Sequence, residues 1–275
     1  INFVPGIVPG IGMAMNSFTR PGDKVMIQPP VYHPFAWVTT RNERTLVTNP
    51  LKWENGMYRM DLDAFREQVK GCKLFILCNP HNPGGVVWTE DELRTVAEIC
   101  YEEKVLVFSD EIHADLTLPP YKHRPFATIS EKAKMNSVTF MSPSKAFNMP
   151  GLAASHAIIF NEDLRARFRK FMDAGELDMG HVFAFLSVEA AYTHGTEWLD
   201  QCLAYIQGNI DYVDNFLKTH APRIKAIRPQ ASYLVWLDCR ELGLNQEALN
   251  DFFADKAHLA LNDGAMFGKE GTGYM

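Results

Sequence analysis

The chain has 275 residues, of which 47% are hydrophobic, enough apolar material to build a large core and to exclude a disordered chain. A formal net charge of -6 leaves no general basic surface, so neither nucleic acid nor an anionic membrane is an expected partner. No stretch reaches the roughly 20 apolar residues of a membrane-spanning helix, and small-molecule chemistry is the expected business of the molecule.

The sequence opens on Ile1, not methionine, and ends on a loop-like Tyr274-Met275, which leads to the expectation that it is part of a longer chain. Residues 5–20 pass from a glycine- and proline-rich turn into a helix that offers Met13, Ala14 and Phe18 for burial. Residues 23–28 predict a strand stopped by Pro29-Pro30, and 44–48 predict a weaker one. Asp61 is placed to cap a helix with Leu62, Phe65 and Val69 on one face, closed by Gly71 before a strand at 73–78. Thr89 and Glu92 form a capping-box pattern for a helix burying Leu93, Val96, Ala97 and Cys100, and a strand at 105–109 follows.

Further strands are predicted at 137–141 and 155–160. Strands that read as near-continuous Val, Leu, Ile and Phe, separated by helices, predict an α/β fold: a three-layer arrangement around a mainly parallel sheet. Beyond Asn161 come helices at 162–173 and 182–194, then a long one capped by Thr196 and running to about Thr219. Trp198, Cys202, Tyr205, Ile206, Val213 and Phe216 predict a broad buried stripe on that last helix. Short strands at 224–227, 233–237 and 259–262 and a helix at 246–257 predict part of a smaller α+β C-terminal domain. The chain is thus divided into a large domain over 1–195 and a linking helix with a partial small domain over 196–275. Five cysteines, Cys72, Cys78, Cys100, Cys202 and Cys239, form no CxxC pair and lie mostly within apolar segments, which predicts small buried hydrophobes there and a reducing cytoplasm.

Three polar side chains stand just past apolar runs: Asn82 after 74–78, Asp110 after 105–108 and Lys145 after 138–141. Ligands of doubly wound α/β sheets bind outside the carboxyl ends of the strands, so these groups are expected in one crevice. An amine for an aldehyde and an acid for a ring nitrogen point to pyridoxal 5'-phosphate. Each residue also has a plainer reading. Lys145, flanked by Ser142 and Ser144 whose hydroxyls suit a phosphate, also reads as a surface lysine in a serine-rich turn. Asp110, with His113 three residues on, also reads as a helix cap or half of a metal pair, although no metal-ligand spacing such as HExxH is present. Asn79 and Asn82 suit a proline-rich turn as well as a ligand, and Tyr32 suits the core as well as a flat ring. The glycine-rich turn before Ile7 and Val8 opens a helix whose free N–H groups suit a phosphate.

Taken in order, PPVYHPF, NPHNPGGVVW, SDEIHADL and SPSKAFNMPG resemble the fold type I pyridoxal-phosphate enzymes of the aspartate aminotransferase superfamily across essentially the whole chain, closest to the cystathionine β-lyase and C-S lyase branch. The resemblance implies that Lys145 carries the cofactor covalently, Asp110 pairs with the pyridine nitrogen, and Asn82 and His113 approach the ring oxygen. It implies that Tyr32 stacks on the ring, and that Ser142 and the backbone at Ile7 and Val8 bind phosphate. Many aminotransferases carry tyrosine where this chain has His113 and arginine where it has Ala153, and the lyase branch shares both departures. The expected reaction is therefore α,β-elimination from a sulfur amino acid, giving thiol, pyruvate and ammonia. An aminotransferase, or a regulator using such a domain as a sensor, are the alternatives. The resemblance also implies a homodimer, with a carboxylate-binding arginine shortly after the segment Gly271–Met275 and with pocket residues from a preceding segment and a partner subunit.

Overall fold

The computed structural model describes residues 1–275. It begins with strand β1 (Asn2–Val4), helix α1 (Ile7–Phe18), strand β2 (Lys24–Ile27), helix α2 (Pro34–Arg41) and strand β3 (Thr45–Thr48). A hairpin of β4 (Lys52–Glu54) and β5 (Met57–Arg59) precedes α3 (Leu62–Gln68), β6 (Cys72–Cys78), α4 (Glu90–Glu102) and β7 (Leu106–Asp110). Then come α5 (Glu131–Met135), β8 (Ser137–Met141), β9 (Ser155–Ile158), α6 (Glu162–Ala174), α7 (Val182–His194) and α8 (Thr196–His220). The chain finishes with β10 (Lys225–Ile227), β11 (Trp236–Asp238), α9 (Gln246–Asp251) and short helical turns.

One seven-stranded sheet takes the order β1-β9-β8-β7-β6-β2-β3. The pairs from β3 through β8 are parallel, and β9 runs antiparallel to both of its neighbours. Two apolar layers sandwich this sheet, as the near-continuous hydrophobic strands require. Strand alternation sends Leu74, Ile76 and Cys78 of β6 into a core with Ile11, Met15, Phe35 and Phe168, from α1, α2 and α6. The intervening Phe75 and Leu77 pack with Phe65, Leu93, Val96 and Ala133, from α3, α4 and α5. Each of the Leu, Ile, Val, Met and Phe side chains among them contributes about 1.5–3 kcal/mol of transfer free energy. A small separate cluster joins Ile224, Cys239, Leu249, Phe253 and Met275 at the C-terminal end.

Two of the three predicted N-terminal caps form. Asp61 accepts from the Ala64 N–H at 3.1 Å, and Thr89 and Glu92 exchange both capping-box hydrogen bonds. Three expectations need correction. Thr196 is the first helical residue of α8, and Gly195 stands at its cap position without a side-chain hydrogen bond, because α7 runs almost directly into α8. Half of the stripe expected on α8 is open: Trp198, Tyr205 and Phe216 are 47%, 72% and 48% exposed, Cys202, Ile206 and Val213 are half-buried, and only Ile210 of the helix is fully covered. Residues 259–262 form no strand; Leu259 and Leu261 are exposed, with no ladder partner to satisfy a strand's backbone. No plain local sequence signal marks β1, the β4–β5 hairpin, α2 or α5, all short elements. No helix is long and apolar enough to cross a membrane.

Candidate active site

Strands β2, β6, β7 and β8 are consecutive neighbours in the sheet, so the segments leaving their carboxyl ends converge. Tyr32 follows β2, Asn82 follows β6, Asp110 closes β7 and Lys145 follows β8. All four line one cavity of about 350 Å³, together with His113 and with Ile7 and Val8 at the start of α1. Seven of the residues expected at a binding site thus meet in one place. Ser142 and Ser144 stand outside the lining. The Ser142 hydroxyl donates to the Ala154 carbonyl at 2.6 Å and accepts the Ser144 N–H at 3.1 Å, so both brace the turn that presents Lys145.

The loop after β6 is held by its own backbone. The Asn82 N–H donates to Cys78 Sγ at 3.3 Å, and the Asn82 carbonyl accepts the Tyr32 N–H at 3.0 Å, which fixes these two cavity-lining residues to each other. At α1, Gly10 permits close approach to the sheet: a Cβ there would come within 2.8 Å of Val4 and 3.3 Å of the Phe140 ring. That approach brings the first-turn N–H groups of Ile7 and Val8, which have no intrahelical acceptor, to the cavity wall.

Burial dominates the electrostatics. It pushes the Asp110 carboxyl up to about 7; the Ile112 N–H donated to Oδ1 and the charge of Lys145 oppose the rise, while neighbouring Glu111 adds to it. His113 is pushed down to about 4, first by burial and then by Lys145. Burial, and after it the charge of Asp110, also raises the Tyr32 phenol. Lys145 and Asp110 therefore act on the same site electrostatically. Asn82 Oδ1 and His113 Nδ1 are buried without hydrogen-bond partners, and both belong to residues that line the cavity. Buried polar atoms left unpaired carry a cost that a polar ligand would relieve. An amine, a carboxyl, an amide, an imidazole and free helical N–H groups around one space fit a phosphorylated pyridine aldehyde.

His33, Cys78, Tyr233, Asn262 and Phe267 also line the cavity, and the sequence reading gave none of them a role there. His33 lay inside a quoted motif, but Tyr233, Asn262 and Phe267 come from the distant C-terminal segments and carry no local signal. Glu111 was missed as well. Its fully buried carboxylate accepts from Ser109 Oγ at 2.8 Å, His123 Nε2 at 2.8 Å and the Phe126 N–H at 2.9 Å, on the face of β7 turned away from Asp110.

The comparisons with known proteins agree with this geometry. Cystathionine beta-lyase PatB of Bacillus subtilis (strain 168) is 41% identical over 277 residues, covering 100% of this chain and 72% of that protein. Cystalysin from Treponema denticola, whose crystal structure contains pyridoxal 5'-phosphate, superposes with a TM-score of 0.96 at 35% identity, over 99% of this chain and 71% of that one. A PLP-bound putative aminotransferase from Clostridium difficile 630 gives a TM-score of 0.97 at 39% identity, over 99% and 71%. The family model for aminotransferase class I and II matches residues 1–273, and the chain belongs to that family.

Proposed function

We propose that this protein is a pyridoxal-phosphate-dependent carbon-sulfur β-lyase that cleaves cystathionine or a cysteine S-conjugate to thiol, pyruvate and ammonia, with water consumed. The observation that carries the reading is the shared cavity of Lys145, Asp110, Asn82, His113 and Tyr32 in a chain that matches a cystathionine β-lyase along its whole length. When bound, the cofactor supplies an electrophilic carbon for the substrate amine and a ring that withdraws electrons. Lys145 would hold it through Nζ, and the same amine, once free, takes the proton from the substrate α carbon. Asp110 would face the ring nitrogen and, ionised by that positive partner against the pull of its own burial, would keep the nitrogen protonated. Asn82 and His113 would hold the ring oxygen, Tyr32 the ring face, and the N–H groups of Ile7 and Val8 the phosphate. Ser142 acts on the phosphate only if its hydroxyl leaves the Ala154 carbonyl.

Residues 196–275 are read as a linking helix and part of a smaller domain, supported by the separate apolar cluster there. A homodimer is the proposed assembly, supported by the exposed apolar side chains of α7 and α8. Cytoplasmic residence is proposed because all five cysteines are unpaired. An aminotransferase is the second reading, favoured by the name of the Clostridium difficile structure. Incubation of the protein with pyridoxal phosphate and cystathionine separates the two. Pyruvate and thiol formed without any added keto acid support elimination, and a strict requirement for a keto acid overturns it. Lys145→Ala should abolish both the turnover and the visible absorbance of the lysine-held cofactor.

A further inference from the structure

Two turns must keep their spacing for this site to work: the one carrying Lys145 and the one carrying Asp110 and His113. A single side chain outside every motif touches both. Tyr192, near the end of α7, donates its hydroxyl to Asp115 Oδ2 at 3.0 Å, and Asp115 lies two residues beyond His113 in the 3-10 turn Ala114–Leu116. Its ring meets the edge of Phe147, two residues beyond Lys145, with centroids 5.8 Å apart and planes at 82°. Phe147 also stacks with Trp198, at 5.9 Å and 27°. Gly195 makes room for it, since a Cβ there would lie 2.5 Å from Phe147 Cε1. The backbone around Lys145 needs such an anchor, because Asn148 and Ala153 both hold left-handed conformations, with φ of 51° and 48°.

We infer that Tyr192 is a positioning residue that fastens the Lys145 turn to the Asp110–His113 turn, by its ring through Phe147 and by its hydroxyl through Asp115. The inference rests on the roles proposed above for Lys145 and Asp110. Tyr192 touches no reacting atom, and its effect is on where the lysine amine sits relative to the acid and the imidazole. Reacting groups displaced by about 1 Å lose on the order of 100-fold in rate, so the slack released by one lost strap is expected to show in turnover. The phenol, 47% exposed, stays a donor throughout the working range, because its partial burial and then the Asp115 carboxylate hold its pKa above the ordinary value.

The test uses the pyridoxal-phosphate-loaded protein. Tyr192→Phe keeps the contact with Phe147 and removes only the hydrogen bond. It should lower kcat by about threefold to tenfold with KM little changed, and should shift the pH midpoint of the lysine-held cofactor's visible absorbance. Tyr192→Leu, which also removes the ring contact, should lose more of both and release cofactor faster on dialysis. Asp115→Ala should match Tyr192→Phe, and the double variant should be no worse than either alone, because both break one bond. Unchanged kcat and an unchanged absorbance midpoint in Tyr192→Phe overturn the inference, as does a lowered melting temperature with neither of those quantities moved. If Lys145→Ala retains the covalent absorbance, the assignment of the lysine fails, whereas a normal Lys145 control with an inert Tyr192→Phe removes the positioning role alone.

Discussion

Asp110 accepts one hydrogen bond, from the Ile112 N–H, while Glu111 beside it accepts three, and this imbalance sets the cost of keeping Asp110 free for the ring nitrogen it is proposed to meet. Burial lifts the Asp110 carboxyl to about 7, whereas the unfolded chain ionises it near its ordinary value of 3.8. Between those two pH values the folded, cofactor-free protein holds a proton that the unfolded chain has released, so stability falls as pH rises through the window and levels off above it. Asp110→Asn removes the titration. The cofactor-free variant should therefore gain stability over the wild type as pH rises, by about 2 kcal/mol between about pH 5.5 and about pH 8, in paired denaturant melts. A gap that stays constant across that range would mean that the carboxyl is not desolvated. The cofactor-loaded variant should lose most of its turnover, since an amide cannot hold the ring nitrogen charged. Asp110 and Lys145 were legible because each stands at the end of an apolar strand, where few polar residues occur by chance. Glu111 was not, because nothing local distinguishes a carboxylate wrapped in three donors from one facing water.

At the scale of elements, legibility followed the strength of local signals. Helix α4 could be read from its first turn, where Thr89 Oγ1 accepts the Glu92 N–H at 3.2 Å and Glu92 returns the bond to the Thr89 N–H at 2.9 Å. The Glu92 carboxylate also lies 3.7 Å from Arg59, which joins the helix start to β5. Thr89→Ala should cost about 1 kcal/mol, seen as a melting temperature lower by roughly 2–4 °C. Thr89→Ser, which keeps the hydroxyl, should recover most of the loss; equal losses in the two variants would assign the effect to the missing methyl group and not to the cap. The strands β6, β7 and β8 were equally plain, since burial on both faces demands unbroken apolar runs. By contrast β1 and the β4–β5 hairpin comprise three-residue strands, too short for any alternation to show. Helix α2 starts at Pro34 inside a segment that reads as a loop, and its buried Phe35 and Val38 identify it only after folding. The antiparallel course of β9 was equally hidden, because pairing direction depends on the connection and not on the strand's own residues.

At the scale of the whole molecule, the sequence shows which residues are apolar but not what covers them. Helix α7 carries Val182, Phe183, Phe185 and Leu186 at 61%, 67%, 48% and 54% exposure, with only Ala184 fully buried, and Met179 just before it is 75% exposed. A helix apolar on all sides is ordinarily enclosed, and a contiguous exposed patch of this kind marks an interface. The periodicity of α8 predicts a buried stripe, yet its Trp198, Tyr205 and Tyr212 remain open as well. Both observations follow if a second copy supplies the missing cover, as the proposed homodimer requires. Since α7 also bears Tyr192, that contact would sit one helix away from the Lys145 turn. Replacing Phe183 and Leu186 together by aspartate places two charges in the centre of the patch, where desolvation without a partner costs several kcal/mol. The double variant should sediment as a monomer at concentrations where the wild type is a dimer, while keeping its far-ultraviolet circular dichroism, because neither side chain is part of the core. A wild-type protein that sediments as a monomer would refute the second copy as the cover, and an unaltered dimer in the double variant would move the interface off α7.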